Sequence, residues 1–197
     1  MPTVFTHAVL GATAFSLVAR GRRGSTVGAG AAAAVSMLPD IDVVWWDLTF
    51  YWEPWGHRGM THSLTAAFLV GAIVAWACRR RVDFPGGPWA LFAFLAAVMA
   101  SHGVMDAMTN GGFGVGFFLP FVDERYFMPI RPVPVAPITG NPFHPRVLQV
   151  LAVEVLLFWP PALAMWAARR DVPRWGAAGV AVALVTCAIT WGWRVAG

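Results

Sequence analysis

The sequence predicts an all-α membrane protein, a polytopic helical bundle with about six transmembrane helices. Of its 197 residues, 58% are hydrophobic and 12% are charged, whereas an average soluble domain is roughly 45–50% apolar and about 25% charged. The mean hydropathy is +0.61, and the eleven tryptophans fit a bilayer protein because aromatic side chains concentrate at membrane interfaces. We therefore expect a single membrane-embedded domain over residues 1–197.

Six apolar runs give the predicted helices in chain order. They cover residues 4–19, 25–38, 63–78, 88–105, 147–168 and 175–193. A spanning helix needs about 20 residues, with a range of roughly 17–25, so the last three runs are long enough and the first three are expected to be short or tilted. Residues 1–112 carry the polar motifs, residues 113–146 form an outer loop rich in glycine and proline, and residues 147–197 form a C-terminal helix pair.

Arginine sets the predicted orientation, because all fourteen basic residues are arginine and most lie in clusters between the runs. The clusters are Arg20, Arg22 and Arg23; Arg79, Arg80 and Arg81; and Arg169, Arg170 and Arg174. With six spans they share one side, which the positive-inside rule makes cytoplasmic. Both termini are then expected outside a cytoplasmic (inner) membrane. Clusters between apolar runs, rather than along one polar face, argue against a nucleic-acid partner.

Histidine and aspartate gather at the outer ends of the predicted helices. His102 and Asp106 stand four residues apart, so a helix places both on one face, where they can chelate one ion or bridge two. Asp40 and Asp42 follow Pro39, which is expected to break the second run. Both carboxylates can reach one cation there, or one can bind while the other holds a ligand; alternatively, an aspartate caps the next helix.

The segment 57–63, HRGMTHS, adds two more histidines at the start of the third run. We expect His57 in the loop and His62 in the first turn of the helix, with Thr61 as its cap. Arg58 offers a planar guanidinium suited to phosphate or carboxylate, or it anchors the chain at the interface. His7 lies one turn into the first run. A lone histidine there is more often a satisfied interfacial residue than a ligand, although ionisable groups within membrane segments are costly and usually functional.

The ligand types indicate which metal would bind. Imidazole and carboxylate without thiolate suit Zn²⁺, or else Mn²⁺ or Fe²⁺, better than Ca²⁺ or Mg²⁺. The chain has no HExxH and no GxSxG motif, which disfavours proteases of the HExxH type and serine hydrolases. His144 lies beside two prolines and is expected to be structural, whereas Glu154, inside the fifth run, is a second-tier candidate that pairs with an arginine or holds a ligand.

These motifs together resemble the YdjM-like family of LexA-binding, inner membrane-associated metal-dependent hydrolases. The matching segments are TH at 6–7, PDID at 39–42, HRGMTHS at 57–63 and SHGVMDAMTNGG at 101–112.

That family is distantly similar to zinc-dependent phospholipase C and P1 nuclease. Their ligand order recurs here as His7, Asp40 or Asp42, His57 or His62, then His102 and Asp106. The resemblance implies that Asp106 bridges two metals, with His7 on one and His102 on the other. Those enzymes add a later His and an HxxxE pair for a third metal, for which this chain offers only His144 and Glu154.

The residues and the resemblance predict a membrane-bound metal-dependent hydrolase that holds one or two ions at the outer face. Metal-activated water would cleave a phosphoester of a membrane lipid or lipid-linked substrate. Arg58 would hold the phosphate, and Asp40 or Asp42 would position or deprotonate the water. Two alternatives come from other classes. One is a structural or regulatory protein in which metal holds helices together, and the other is an ion- or proton-coupled transporter.

Overall fold

A computed structural model describes residues 3–19, 21–135, 143–160 and 162, and it confirms the all-α fold class. Within that part of the chain the α-helices are α1 (Val4–Val18), α2 (Ser25–Met37), α3 (Leu64–Cys78), α4 (Gly87–Ala107) and α5 (Pro145–Leu157). α1 packs against α2 and α3 against α4, so that two helical hairpins lie side by side. The described residues contain isolated β-bridges but no β-strand.

Two helical segments are long and apolar enough to cross a membrane. They are Ser25–Trp45 and Gly87–Ala107, each of 21 residues. The helices α1 and α3 are apolar but have only 15 residues each, as expected for the short early runs. The complete six-span bundle is not confirmed, because only these two described segments are long enough to span, and the end of the fifth run and the whole sixth run, residues 175–193, lie outside the described residues.

The chain stays helical at Pro39, where the sequence predicted a break. α2 gives way to a 3₁₀ helix, Leu38–Leu48, with non-helical backbone angles at Trp45. Proline lacks the amide donor that an α-helix interior requires, and short 3₁₀ segments are common at the ends of α-helices. As a result, Asp40 and Asp42 continue the line of α2 rather than cap a new helix.

Small residues let the helices approach closely, a common arrangement in membrane bundles. A Cβ atom added at Gly11 would lie 2.6 Å from the carbonyl oxygen of Ala32, on the facing helix. One added at Gly71 would lie 2.9 Å from the backbone nitrogen of Ala96. In each hairpin the two helices can therefore pack this closely only because glycine has no side chain at the contact.

The two ends of the bundle differ in character. At one end the turn between α1 and α2 meets the turn between α3 and α4, where the amide of Asp83 donates to the carbonyl of Arg23 at 2.9 Å. The buried polar side chains belong to the opposite end: Thr6, His7, Ser36, Asp42, His57, Arg58, His62, Ser63, His102, Asp106, Thr109 and Glu154. Arg22 and Arg23 thus share one end with the second arginine cluster, as the sequence predicted.

The chain after α4 folds back over the polar end without forming a helix up to residue 135. Its bridges pair Thr109 with Val133 and Val115 with Tyr126. The amide of Leu64, at the start of α3, donates to the carbonyl of Phe117 at 2.9 Å. The predicted non-helical outer loop is therefore packed against the bundle over its described residues.

Candidate metal centre

Four side chains from three segments converge at the polar end. Asp40 comes from the 3₁₀ helix after α2, His62 from a 3₁₀ turn (Met60–His62) before α3, and His102 and Asp106 from successive turns of α4. One ligand atom from each lies within 4.8 Å of the other three. All four side chains are at least nine-tenths buried.

The distances within this four-residue cluster are those of groups facing a common point. His62 Nε2 lies 3.4 Å from an oxygen of Asp106 and 3.7 Å from an oxygen of Asp40. His102 Nε2 lies 3.3 Å from the same oxygen of Asp40 and 3.9 Å from that of Asp106. The imidazole nitrogens and carboxylate oxygens therefore point at one another across a small volume.

The His102 ring is oriented by the backbone of α2. Its Nδ1 lies 2.7 Å from the carbonyl oxygen of Ser36. Because a carbonyl only accepts, Nδ1 carries the hydrogen, and the lone pair of the neutral ring is on Nε2, toward the cluster. Metal-binding histidines commonly have such a hydrogen bond on the ring nitrogen that does not bind the metal.

The His62 ring is held from its other side. Its Nδ1 lies 3.0 Å from Thr61 Oγ1 and 3.3 Å from a carboxylate oxygen of Asp42, and Nε2 faces the cluster. Burial disfavours the charged imidazole, but the carboxylates of Asp106, Asp40 and Asp42 outweigh it and hold the pKa of His62 well above its usual 6.5. The surrounding carboxylates therefore favour the protonated form of this ring.

Asp42 is engaged on both carboxylate oxygens. One lies 2.7 Å from Nδ1 of His57, and the other accepts from the backbone amide of Arg58 and the hydroxyl of Thr61, each at 3.0 Å. Asp40, Asp42 and His57 also come close enough to hold an ion. An ion there would have to separate the His57–Asp42 contact, so the geometry favours Asp42 and His57 as residues that orient the four-residue cluster.

Arg58 is buried against Asp106 in an unusual backbone conformation. Its side chain is 1% exposed, and its Nε lies 3.0 Å from a carboxylate oxygen of Asp106. Its Nη1 donates to the carbonyl of Gly111 at 3.1 Å. The residue has a φ of +61°, a region that bulky residues rarely adopt and that costs about 1–3 kcal/mol. Arg58 therefore supplies a buried positive charge beside Asp106.

His7 lies beside the four-residue cluster. Its ring stacks on that of His102, with ring centroids 3.7 Å apart. The side chain is buried, and its Nε2 has no hydrogen-bond partner within the part of the chain that the structure describes. The structure thus brings His7 to the site from α1, the helix on which the sequence predicted it.

The cluster leaves several buried polar atoms without a hydrogen bond from the described residues. They are Nε2 of His7, His62 and His102, and both carboxylate oxygens of Asp40 and Asp106, of which one Asp106 oxygen forms the ion pair with Arg58. Buried polar groups are almost always hydrogen-bonded, and exceptions call for an explanation such as an ion. Mixed imidazole and carboxylate donors facing one point fit a divalent transition metal. The residues present therefore fit the metal that the sequence predicted, whose identity they leave open.

Two other sequence candidates lie apart from the cluster. His144 accepts from the amide of Arg146 at 3.2 Å and caps α5, a structural role. Glu154 accepts from the amide and hydroxyl of Thr3, at 2.7 and 2.6 Å, and from the hydroxyl of Thr6 at 2.9 Å. It therefore joins α5 to the start of α1, next to His7.

The expectation that Thr61 caps α3 is wrong. The helix begins at Leu64, and the side chain of Ser63 accepts the amide of Ala66 at 3.1 Å. His62 consequently lies in the preceding 3₁₀ turn rather than in the first turn of the α-helix. Thr61 is instead free to donate to Asp42, a contact that local sequence does not predict.

Arg125, in the outer loop, joins that loop to the segment before α3. Its Nη1 donates to the carbonyl of His57 at 3.0 Å, and its Nη2 donates to the carbonyls of Tyr51 and Glu53 at 2.7 and 3.0 Å. The sequence offered no signal for this role, because backbone carbonyls leave no residue pattern. Arg125 therefore holds the outer loop over the metal centre.

Comparison with known proteins agrees with the motifs. The YdjM inner membrane protein family matches residues 1–195. The inner membrane protein YbcI of Escherichia coli (strain K12) is 36% identical over 142 residues, which are 69% of this chain and 81% of that protein. No solved structure matches. The family and this relative are inner membrane proteins, in agreement with the predicted location, and the chain therefore belongs to the YdjM inner membrane protein family.

Proposed function

We propose that this protein is a metal-dependent hydrolase of the inner membrane that cleaves a phosphoester of a lipid or lipid-linked substrate. The observation that carries the proposal is the convergence of buried ligand atoms from Asp40, His62, His102 and Asp106, which have no hydrogen bond from the described residues. Such an arrangement is costly without a cation. Ionisable groups placed in a membrane protein at such a cost usually serve its function.

The ion and the protein side chains would have different roles in the reaction. A divalent ion held by the cluster would polarise a phosphoryl oxygen and lower the pKa of a nearby water. Asp40 has both carboxylate oxygens without a hydrogen bond from the described residues, and it would position the attacking water or accept its proton. Asp42 is the alternative for that role, but its two oxygens already serve the histidines around it.

Arg58 is proposed to hold the substrate phosphate. Its guanidinium lies beside Asp106, and this fork of donors suits a phosphate. Because Arg58 is buried, a substrate reaches it only when the outer loop moves away. Arg125 would control that movement through its three bonds to the facing backbone.

Metal analysis tests the site. The protein, purified in mild detergent and incubated with Zn²⁺ or Mn²⁺, is expected to retain one or two equivalents of metal. A variant with His102→Ala and Asp106→Ala is expected to lose them, since it removes two ligands. His144→Ala is the matched control, because this histidine caps α5 away from the cluster. Metal content that is the same in the wild type and the double variant would refute the site.

Activity is tested next on defined substrates. The metal-loaded wild type is expected to release phosphate or a phosphorylated headgroup from a panel of phospholipids and lipid-linked phosphates. The same double variant and the His144→Ala control are assayed in parallel. If the wild type binds metal tightly but hydrolyses no phosphoester in this panel, the hydrolase proposal is wrong and the structural alternative takes its place.

The second candidate, a structural metal site, is favoured by the burial of the cluster. Four ligands enclosed on all sides are typical of a structural zinc site, whereas a catalytic site keeps one position open. Replacement of the metal by Co²⁺ separates the two. An absorption spectrum that changes on addition of a small anion indicates an open position, and an unchanged spectrum indicates a closed shell. The transporter alternative is less favoured, because the buried ionisable side chains of the described residues lie at one end.

A further inference from the structure

A second polar feature lies at the opposite end of the bundle, far from the metal centre. It is a cavity of about 350 Å³ between the two helical turns. Six of the residues that line it are Arg23, Arg79, Asp83, Val82, Phe84 and Leu91. Its size lies in the usual range for a small-molecule site, about 300–1,000 Å³.

The cavity has an apolar floor and a charged rim. Val82, Phe84 and Leu91 are each more than nine-tenths buried and belong to the main hydrophobic core. Arg23 and Arg79 stand at the rim on different hairpins, one before α2 and one after α3. A ligand that fits both surfaces needs an anionic group and an adjoining apolar portion.

The charges at the rim are arranged to favour an anion. No hydrogen bond or ion pair from the described residues reaches the guanidinium of Arg23. Arg79 is held in place, with its guanidinium carbon 4.3 Å from the ring centre of Trp76 and a hydrogen bond to the Trp76 carbonyl. Asp83 is the acidic residue at the rim, and its carboxylate is paired with Arg22 at 3.2 Å. Its negative charge is thereby partly offset.

Exposed tryptophans place this rim at the membrane surface. Trp76 is 67% exposed and Trp89 is 81% exposed, and both lie near the arginine end of their helices. Tryptophan side chains concentrate where the hydrocarbon meets the headgroups. The opening of the cavity therefore lies at the depth of lipid phosphates.

We propose that this cavity binds the headgroup of an anionic phospholipid from the leaflet on the arginine side. Arg23 and Arg79 bind the phosphate, and the glycerol and upper acyl portion lie on Val82, Phe84 and Leu91. Basic pockets between membrane helices bind anionic headgroups in this way. The lipid would join the two hairpins at the end opposite the metal centre, and this proposal is independent of the proposed hydrolase activity.

Lipid titration followed by native mass spectrometry tests the site. The full chain in detergent is titrated with phosphatidylglycerol or, separately, with phosphatidylcholine, and bound lipids are counted. The wild type is expected to bind one phosphatidylglycerol in preference to phosphatidylcholine. Arg23→Gln combined with Arg79→Gln is expected to weaken that binding at least about tenfold, since a single direct charge-assisted contact with the phosphate contributes roughly that much.

The matched control is Arg80→Gln combined with Arg81→Gln. It removes the same amount of charge from the cluster that contains Arg79, but neither residue lines the cavity. The control is expected to change phosphatidylglycerol binding less than about threefold. Equal loss in both double variants would indicate general charge attraction and would overturn the proposal. Inorganic phosphate that binds as tightly as phosphatidylglycerol, with the same arginine dependence, would overturn the lipid assignment.

Asp83→Asn provides a test in the opposite direction. It removes the negative charge at the rim and releases Arg22 from its ion pair, so phosphatidylglycerol should bind several-fold more tightly. This variant keeps the proposal testable if the double arginine variant does not fold. Unchanged or weaker binding in a folded Asp83→Asn variant would contradict the assignment.

Discussion

Replacing Gly11 by alanine tests how the packing of α1 against α2 supports the metal centre. The new methyl group would lie 2.6 Å from the carbonyl oxygen of Ala32 and 2.9 Å from Cβ of Ser36. Both atoms belong to α2, whose Ser36 carbonyl orients His102. The added methyl group therefore pushes on α2, the helix whose backbone orients the proposed ligand His102.

The size of the effect follows from the overlap. α2 would have to retreat by about 0.8 Å, the difference between 2.6 Å and an ordinary separation of about 3.4 Å. Overpacking of this kind costs about 1–3 kcal/mol, whereas glycine to alanine in a helix interior gains about 1 kcal/mol. Gly11→Ala is thus expected to be up to about 2 kcal/mol less stable than the wild type.

Gly30→Ala is the matched control, because a Cβ atom there meets nothing within 4 Å. It keeps the gain in helix propensity without the overlap, so its free energy of unfolding should exceed that of Gly11→Ala by about 1–3 kcal/mol. Both variants are unfolded in detergent and followed by circular dichroism, and their Zn²⁺ affinity is measured by titration. Equal stability and equal affinity in the two variants would refute the close packing of α1 on α2.

Three further predictions concern the polar end. Asp42→Asn should weaken metal binding about 10- to 100-fold, because Asp42 orients the surrounding ligands, whereas the exposed Asp47→Asn should leave Zn²⁺ titrations unchanged. The raised pKa of His62 means that metal must displace a proton, so affinity should rise by up to about tenfold per pH unit until the pH exceeds that pKa; a pH-independent affinity would contradict this reasoning. Arg125→Gln should free the outer loop and increase its hydrogen exchange, while Arg131→Gln, at an exposed position, should not; equal exchange would contradict the role of Arg125.

Much of the candidate site was predictable because it depends on local spacing. His102 and Asp106 are four residues apart, and any helix there places them together. Their position at the ends of apolar runs also predicted the shared depth of Asp40 and His62. These features needed only the length of each run and the alternation of the helices across the bundle.

The sequence did not predict which of Asp40 and Asp42, or which of His57 and His62, would bind the ion and which would orient the ligands. That choice depends on contacts between segments that are distant in the chain. Asp42 differs from Asp40 through its contacts with residues 15 to 19 positions away. The carbonyl of Ser36 orients His102 across 66 positions, and a backbone oxygen leaves no trace in a sequence. The cap of α3 was misassigned because Thr61 and Ser63 are both good cap residues, and packing decided between them.

The conformation of Arg58 has a consequence for substitution at that position. A residue with φ of +61° would ordinarily be glycine, which adopts this region without steric cost. Arg58→Gly would relieve the backbone but leave Asp106 without its buried counter-charge. The ion pair of Arg58 with Asp106 therefore outweighs the steric cost of a positive φ at this position. We therefore expect natural variants of this chain to keep arginine at position 58 for its charge, even though the backbone conformation there favours glycine.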